Sequence, residues 1–424
     1  MSLKVLLISE YFPPKVFGGG EISAWLLAKN LAKEGLDVSV LTSHFPELKK
    51  FEVKDKVKIY RNLKTGENPE GFLSNFKRAF LFPSSTKKEL INLDKKESFD
   101  LIHCFNINSI IGTSQAKEKI NKPIIMHINS LVLFCPLGTL MKRGKICNEK
   151  CTFLKFLECF WKEKKISKIK KNFLTLNPFF ATYVYFRFKR RKNSLKKVDF
   201  FIAISNFMKN LLLREKISEE KIAVVPNPVE LEKFLKLKPR KRKIPKILYL
   251  GAYEGFKGPQ ILLKALKEIK ENFRANFYGS GSLEKWMKNF VERNNLSKKI
   301  KINEKVSYEK IPSLYEEHDI IVFPSLWSEP FGRVLVEGMA SGKVIIASKI
   351  GGIPEVVEDR KNGFLFQPGN VSELSQLIKN LLINKNLRLK IGKEGIKTAK
   401  KKYSGEVVAK ELIKVYENYT STKS

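Results

Sequence analysis

Short runs of apolar residues recur along the chain and alternate with segments of helical periodicity. Between the first two runs, Ala24, Leu27, Ala28 and Leu31 share one helical stripe, and Gly35 suits the position just after that helix. Fully buried strands that alternate with helices are typical of a parallel, doubly wound sheet. The runs that predict strands in the first half are "KVLLIS", "DVSVLT", "FDLIHC", "KPIIMH" and "VDFFIAIS".

A second series of strands follows a basic linker at residues 235–246. Its runs are "ILYLG", "RANFY", "KIKIN", "DIIVFPS" and "KVIIAS". A chain of 424 residues is also too long for one typical core. We therefore predict an α/β protein with two Rossmann-like, doubly wound parallel-sheet domains. The first spans residues 1–230 and the second 231–404, and a helix at 405–424 is expected to pack back on the first.

Several polar or glycine-rich segments directly follow the predicted strands. In open parallel sheets, ligands bind beyond the carboxyl ends of the strands. We therefore expect these segments to face one cleft between the two domains. They are "GGGE", His127, "GAYEGFKG", "YGSGS" and "SEPFG".

Charge and composition narrow the class of protein. The net charge of +37 indicates an anionic partner, and nucleic acid, an acidic membrane surface and phosphate-bearing substrates all qualify. No nucleic-acid recognition motif accompanies the charge, so nucleic acid is not expected. Five cysteines do not suggest a secreted disulfide scaffold. The chain start lacks signal-peptide features and no apolar run is long enough to span a membrane, so we predict a cytoplasmic protein.

The glycine-rich turn "FGGGE" precedes the first predicted helix. Its glycines let backbone approach a ligand closely, and the helix start offers unpaired amides to a diphosphate or a sugar. A tight strand-to-helix turn with no ligand is the alternative. The Gly-x-Gly-x-x-Gly spacing is absent and the next strand ends in Thr42 and Ser43 rather than in an acid, so NAD binding is not expected.

Two glutamates with seven residues between them stand in "SEPFGRVLVEGMASG". If Pro330 opens a helix, the amides of residues 331–333 are free to bind an anion. Glu329 then stands at the mouth of that helix and Glu337 about two turns inside it. Carboxylates on either side of an anion site can accept hydrogen bonds from neutral hydroxyl groups of the ligand. A nucleotide sugar has this layout, with ribose hydroxyls on one side of its diphosphate and sugar hydroxyls on the other. Two surface glutamates on a helix are the alternative reading of the pair alone.

The segment closely resembles the signature of glycosyltransferase family 4, whose members are retaining enzymes of the GT-B fold. The resemblance spans nearly the whole chain. It rests on "EYFPPKVFGGGE", "VVPNPVELEKF", "FYGSGS", "EPFGRVLVE" with "GMASGKVIIAS", "GGIPEVV" and "GFLFQPGN".

The resemblance implies roles for matching residues. Glu337 would bind the ribose, Glu329 a hydroxyl of the donor sugar, and Lys257 the leaving diphosphate, a contact that strengthens as the bond breaks. His127 matches the family histidine near the reacting sugar. Ala252 departs from the family, which often has arginine there, so one cation is missing or comes from elsewhere, such as Arg333. Contacts with the nucleotide sugar are further implied for Gly19, Gly20, Gly279, Phe331, Gly332 and Arg333.

No cofactor or metal is expected, since no Asp-x-Asp cluster is present. Four cysteines nevertheless crowd one segment and could bind zinc or an iron–sulfur cluster, although their spacing is not that of common zinc sites. Buried or free thiols are the alternative. The four are Cys135, Cys147, Cys151 and Cys159.

The function predicted by resemblance is transfer of a sugar from a nucleotide-diphosphate donor, UDP or GDP, to a glycan or lipid-linked acceptor. The alternative is a nucleic-acid- or sugar-binding protein without transferase activity. Basic and aromatic residues alternate at 160–197, which also predicts contact with an anionic membrane surface without spanning it. Among the cations predicted to face that surface are Lys189, Arg190 and Arg191.

Overall fold

The computed structural model describes residues 2–68, 71–143, 145–162, 178–237 and 242–421, which form two compact units. The first unit comprises Met1–Leu140, Asn148–Pro228 and Gly405–Ser424. The second comprises Met141–Cys147 and Val229–Ser404. Parts of the predicted basic linker and of the basic aromatic segment, residues 238–241 and 163–177, lie outside the described residues.

The first unit is built on one eight-stranded sheet with strand order β10-β9-β6-β5-β1-β2-β4-β3. All neighbouring strands are parallel except β3 and β4, which form an antiparallel hairpin at the edge. The five predicted strands are confirmed as β1, β2, β5, β6 and β9. The strands of this sheet are β1 Lys4–Ile8, β2 Asp37–Ser43, β3 Phe51–Lys54, β4 Val57–Leu63, β5 Leu101–Cys104, β6 Ile124–Ile128, β9 Phe200–Ala203 and β10 Ile222–Val224. A small separate hairpin is formed by β7 Met141–Lys142 and β8 Lys145–Ile146.

Alternate residues of β1 enter different cores, because side chains of a strand point to opposite faces. Val5 and Leu7 belong to the core on one face, and Leu6 and Ile8 to the core on the other. The predicted apolar stripe of α1 is fully buried in the first of these cores. The helices of this unit are α1 Gly19–Lys33, α2 Phe72–Glu97, α3 Ser109–Ile120, α4 Phe153–Lys162, α5 Pro178–Ser194, α6 Asn206–Arg214 and the C-terminal α15 Gly405–Ser421.

The C-terminal helix α15 covers the same face of the first sheet as α1. Val408, Leu412 and Tyr416 have at most 1% of their surface exposed and share the core that contains Val5 and Leu7. Leucine and valine at this spacing place one stripe of the helix against the sheet. The helix is therefore part of the hydrophobic core of the first unit.

The second unit contains a six-stranded, fully parallel sheet with order β13-β12-β11-β14-β15-β16. Five of its strands match the predicted apolar runs. The strands are β11 Lys246–Leu250, β12 Arg274–Tyr278, β13 Ile300–Asn303, β14 Ile320–Phe323, β15 Val344–Ser348 and β16 Phe364–Phe366. The helices are α7 Glu232–Leu235, α8 Pro259–Lys267, α9 Glu284–Arg293, α10 Ile311–Glu316, α11 Arg333–Ala340, α12 Ile353–Val356, α13 Val371–Ile383 and α14 Lys385–Tyr403.

Four strands of the two sheets are absent from the sequence prediction, namely β3, β4, β10 and β16. The hairpin of β3 and β4 was not predicted, because its charged residues mask the apolar alternation of an edge strand. Its turn places Asp55 and Lys56 at positive φ, 48° and 66°.

None of the helices within the described ranges is long and apolar enough to span a membrane.

Candidate functional site

The first part of the candidate site is a buried ion pair in the second unit. Lys257 Nζ lies 2.6 Å from Glu329 Oε1, and the glutamate is only 5% exposed. The same carboxylate oxygen accepts hydrogen bonds from Ser325 Oγ at 2.9 Å and from the Trp327 indole N–H. Lys257 Nζ also lies over the Trp327 ring, 4.8 Å from its centroid. Glu329 and Lys257 are therefore held together by charge, hydrogen bonds and a cation–π contact.

One oxygen of Glu329 remains available. Within the part of the chain that the structure describes, Oε2 accepts no hydrogen bond from protein, whereas Oε1 accepts three. An ionised carboxylate can accept hydrogen bonds on both of its oxygens. Glu329 can thus bind a ligand hydroxyl through Oε2 while Oε1 keeps its protein partners.

The loop that carries Lys257 is held by a close backbone approach. Lys257 ends a short 3₁₀ turn, Gly255–Lys257, and Gly258 follows with φ of 73°. A Cβ on Gly258 would lie 1.8 Å from the Pro324 carbonyl oxygen, just after β14. Glycine is therefore required at 258, and it brings Lys257 to the end of the strand that leads to Glu329.

The second part is a network around Glu337, which is 2% exposed. Arg333 Nε donates to Glu337 Oε1 at 2.8 Å, and the Tyr315 hydroxyl donates to Oε2 at 3.1 Å. Arg333 Nη2 also donates to the Tyr308 hydroxyl at 2.6 Å. Burial alone would lower the pKa of Arg333, but the Glu337 carboxylate and Tyr308 hold it above its usual value. The predicted substitute cation Arg333 is thus engaged by Glu337.

The predicted start of the helix that carries Glu337 is wrong. Helix α11 begins at Arg333 rather than at Pro330, because Gly332 before it adopts φ of 112° and ψ of 67°. Glu337 is consequently the fifth helical residue, little more than one turn inside, instead of two. Phe331 is 5% exposed and its ring packs on Tyr403, with centroids 5.5 Å apart.

Gly279 has a structural reason to be glycine. It follows β12, and a Cβ there would lie 2.0 Å from the Gly251 carbonyl oxygen. Ala252 lies in the neighbouring loop after β11, where its carbonyl accepts a hydrogen bond from the Tyr249 hydroxyl at 2.8 Å. The two loops are packed closely enough that Gly279 is needed whether or not a ligand binds there.

The glycine turn of the first unit opens α1. Gly19 and Gly20 are its first two residues, both are exposed, and the Gly18 amide before them donates to Glu21 Oε2 at 2.8 Å. A Cβ on Gly20 would meet no atom within 4 Å. Neither backbone conformation nor packing requires glycine at 20, so the predicted contact between this turn and a ligand stays a prediction.

His127 lies on β6 and is 1% exposed. Its Nε2 lies 3.2 Å from Asn227 Oδ1, and its Nδ1 is buried without a hydrogen-bond partner. Its ring stacks on that of His103 with centroids 5.4 Å apart, and His103 Nδ1 in turn lies at hydrogen-bond distance from the Tyr416 hydroxyl. Burial lowers the pKa of His127 to about 4, so the imidazole is neutral near pH 7.

Three of the four clustered cysteines, Cys135, Cys151 and Cys159, pack against an apolar cluster around Phe156 and Phe160. No group of three or more His, Cys, Asp or Glu side chains that could hold a metal is found in the described ranges. The arrangement of these cysteines is that of side chains in a small core.

Sequence reasoning missed the side chains that hold the predicted ones in place. Ser325 and Trp327 stand just before Glu329, and Asn227 stands in the quoted motif "VVPNPVELEKF", so their place in or beside these segments was a usable signal. Tyr308 and Tyr315 are distant in sequence from Glu337 and carry no signal of their own. Tertiary contacts alone bring them there: Tyr315 of α10 donates to Glu337, and Tyr308 accepts from Arg333.

The comparisons with known proteins agree with these two doubly wound sheets. The sequence profile described as Glycosyltransferase Family 4 matches residues 17–233, and the profile described as Glycosyl transferases group 1 matches residues 232–398. An uncharacterised glycosyltransferase of Methanocaldococcus jannaschii is 40% identical over 170 residues, which are 40% of this chain and 47% of that protein.

Two solved structures are similar over nearly the whole chain. Sucrose-phosphate synthase from Thermosynechococcus elongatus has a TM-score of 0.75 at 20% identity, with 99% of this chain and 100% of that chain covered. An Anabaena protein solved in complex with UDP and glucose has a TM-score of 0.67 at 17% identity, with 98% and 100% covered. The fold is the GT-B fold predicted from the sequence. The chain belongs to glycosyltransferase family 4, within the group 1 glycosyl transferases.

We predict that Gly20→Ala will separate stability from activity. Alanine is favoured over glycine in a helix by roughly 0.5–1 kcal/mol, and open space surrounds this position, so the melting temperature should stay or rise. Sugar transfer should fall at least tenfold, because the methyl group blocks the ligand. The contrasting variant is Gly392→Ala, whose Cβ would lie 2.2 Å from the Gly342 carbonyl oxygen and should lower the melting temperature. Unchanged transfer by Gly20→Ala would contradict the assignment.

We also predict that stability falls as pH falls from 6.5 towards 4. Burial lowers the pKa of His127 and of His318 to about 4, so the unfolded chain binds more protons in this window. Each histidine contributes up to about 1.4 kcal/mol per pH unit. Calorimetric melting of wild type and His127→Gln between pH 7 and 5 checks this. The variant should show the shallower dependence, and equal slopes would refute the contribution of His127.

Proposed function

We propose that this protein transfers a sugar from a nucleotide-diphosphate donor to a glycan or lipid-linked acceptor, with retention of anomeric configuration. The observation that carries the proposal is the pair of buried networks, Lys257 with Glu329 and Arg333 with Glu337, within a domain of the group 1 family. The Anabaena neighbour was solved with UDP and glucose, which supports UDP-sugars as the first donors to test. A thermal-shift screen of nucleotide sugars, followed by turnover with the best binder, tests the proposal.

The chemistry follows from the charges of the second unit. Lys257 has three N–H donors, of which one is directed to Glu329, so others remain for the phosphate oxygens of a leaving nucleoside diphosphate. That contact strengthens as negative charge develops on the leaving group. Glu329 fixes the ammonium group and accepts a sugar hydroxyl through Oε2. Glu337, oriented by Arg333 and Tyr315, accepts hydrogen bonds from the ribose.

We further propose that part of the first unit contacts an anionic membrane surface. The apolar residues Leu73 and Phe76 of α2 and Phe179 and Phe186 of α5 are 75%, 55%, 82% and 56% exposed. The Tyr183 hydroxyl of α5 donates to the Asn75 carbonyl of α2 at 3.2 Å, which joins the two helices into one surface. Exposed aromatic residues grouped in this way mark an interaction site.

The cations of this surface differ from the predicted set. Lys77 and Lys189 are exposed beside the apolar residues and suit anionic headgroups. Arg190 and Arg191 instead turn towards the protein, where Arg190 Nη1 donates to the Ala79 carbonyl at 3.1 Å and Arg191 Nη2 to Asn108 Oδ1 at 2.8 Å. The prediction that all three consecutive cations face the membrane is therefore wrong for Arg190 and Arg191, and the proposed surface keeps Lys189 alone of the three.

Substitution of the two glutamates should separate binding from turnover. Glu337→Gln should weaken nucleoside-diphosphate binding by about tenfold or more, since hydrogen bonds to charged groups contribute about 1.5–3 kcal/mol. Glu329→Gln should lower kcat more than affinity, because Lys257 loses its partner. Calorimetry with UDP and initial rates measure the two effects. Glu394→Gln, at an exposed pair with Lys397, is the matched control. Wild-type rates and affinity in both site variants would disprove the roles.

Sedimentation with vesicles tests the proposed surface. The protein should bind vesicles that contain phosphatidylserine and not neutral phosphatidylcholine vesicles, and salt should weaken the binding. Phe76→Ser with Phe179→Ser should abolish it. Leu389→Ser removes an apolar side chain of similar exposure, 54%, from the second unit and should bind as wild type does. Binding that is indifferent to lipid charge, or to the double substitution, would rule out this surface.

A further inference from the structure

A buried carboxylate of the first unit is fully occupied by its neighbours. Glu10 stands just after β1 and is 2% exposed. Arg78 of α2 donates to it twice, from Nε to Oε1 at 2.7 Å and from Nη2 to Oε2 at 3.0 Å. Thr65 Oγ1 donates to Oε1 at 2.8 Å, and the Asn108 amide donates to Oε2. The charge of Glu10 is therefore already balanced by Arg78.

Arg191 of α5 reaches this cluster through Asn108, and Arg187 lies close enough for Arg78 and Glu10 to act on its charge. Arg187 and Arg191 are four residues apart on α5 and share one face of that helix. Arg191 Nη2 donates to Asn108 Oδ1 at 2.8 Å, whereas its Nε is buried without a hydrogen-bond partner. The Arg187 guanidinium lies over the Tyr183 ring, 5.6 Å from its centroid. Over the described part of the chain, no carboxylate forms an ion pair with either arginine.

The cluster contains more cations than carboxylates. Burial, together with the Arg187 and Arg78 guanidinium groups, lowers the pKa of Arg191 to about 9, so it is still charged near pH 7. Glu21, the other carboxylate that acts on Arg78, is bound to the amide of its own helix start. The cluster thus contains three guanidinium groups and one buried carboxylate, which is already paired with Arg78.

Stability does not explain this arrangement. Like charges at i and i+4 on a helix are destabilising, and a partly buried cation without a counter-ion is costly. Charges held at such a disadvantage are typical of functional sites. An incoming anion with two negative charges would balance Arg187 and Arg191 and would give the orphaned Nε an acceptor.

We propose that Arg187 and Arg191, the latter positioned by Asn108, bind a phosphate group of the acceptor. That the ligand is the acceptor rests on the proposed function, whereas the anion site rests on the arginine cluster itself. Glu10 follows β1 and Asn108 follows β5, and β5 pairs directly with β6, which carries His127. The site therefore lies at the carboxyl edge of the sheet, where ligands of such folds bind. The phosphate belongs either to a sugar phosphate or to the head of a lipid phosphate.

Calorimetry on the full chain in the presence of UDP tests the site with defined probes. Wild type should bind glucose 6-phosphate saturably and should not bind glucose. Arg187→Met and Arg191→Met should each weaken phosphate binding at least tenfold, and Arg191→Lys should retain part of it. Lys196→Met, which removes an exposed charge just beyond the same helix, should bind as wild type does. Binding unchanged in both arginine variants, or no binding by wild type, would overturn the proposal.

A second arm distinguishes the two sources of phosphate. Dodecyl phosphate is used below its micelle concentration. If it binds more tightly than glucose 6-phosphate, the ligand is a lipid phosphate; if it binds more weakly, the ligand is a sugar phosphate. Either order supports the site, provided that Arg191→Met weakens both. Equal binding of dodecyl phosphate by wild type and Arg191→Met would count against it.

Thermal melting separates a binding role from a structural one. In phosphate-free buffer Arg191→Met should melt at or above the wild-type temperature, because it relieves repulsion among three cations. Phosphate should raise the melting temperature of wild type and not that of the variant. A clear loss of stability in Arg191→Met without phosphate would show that the arginine is structural. If UDP fails to bind while phosphate binding persists, the proposed function is disproved and the anion site is supported. If UDP binds but phosphate does not, the anion site is disproved and the proposed function is unaffected.

Discussion

Parallel pairing of short, fully buried strands is the constraint on which both units depend. A strand such as β1 or β14 has core on both faces, so it holds apolar residues almost without interruption. Charged groups are therefore displaced to the loops at strand ends. Glu10 follows β1, Lys257 follows β11 and Glu329 follows β14, and each stands at the carboxyl end of its strand. The architecture that excludes charge from the buried parts of the central strands thereby concentrates it at the ends of those strands.

Each of the three buried glutamates in the described ranges has a cationic partner. Glu329 pairs with Lys257, Glu337 with Arg333 and Glu10 with Arg78. Burial of a lone carboxylate would be costly, so the pairs are a condition for the fold as well as a feature of the chemistry.

Much of this arrangement was predictable from the sequence because it rests on local patterns. The apolar runs predicted ten of the strands, and the stripe of α1 was placed correctly, since continuous burial and helical periodicity are visible in single segments. The start of α11 was misplaced, because the positive φ of Gly332 overrides the preference of Pro330 for a first helical turn. The partners Tyr308 and Tyr315 could not be predicted, since only tertiary packing brings them to Glu337. The same holds for Arg191, which reads as a surface cation until α5 is seen to turn it towards Asn108.

The place of α15 in the first core has a consequence for biosynthesis. Val408, Leu412 and Tyr416 complete a core whose other members, such as Val5 and Leu27, are translated long before them. A ribosome must therefore make the whole second unit before the first sheet receives the helix that covers it. Until then an apolar face of the nascent first unit is exposed, and the second unit is the first of the two able to finish folding. The order in which the domains mature is thus the reverse of the order in which they begin.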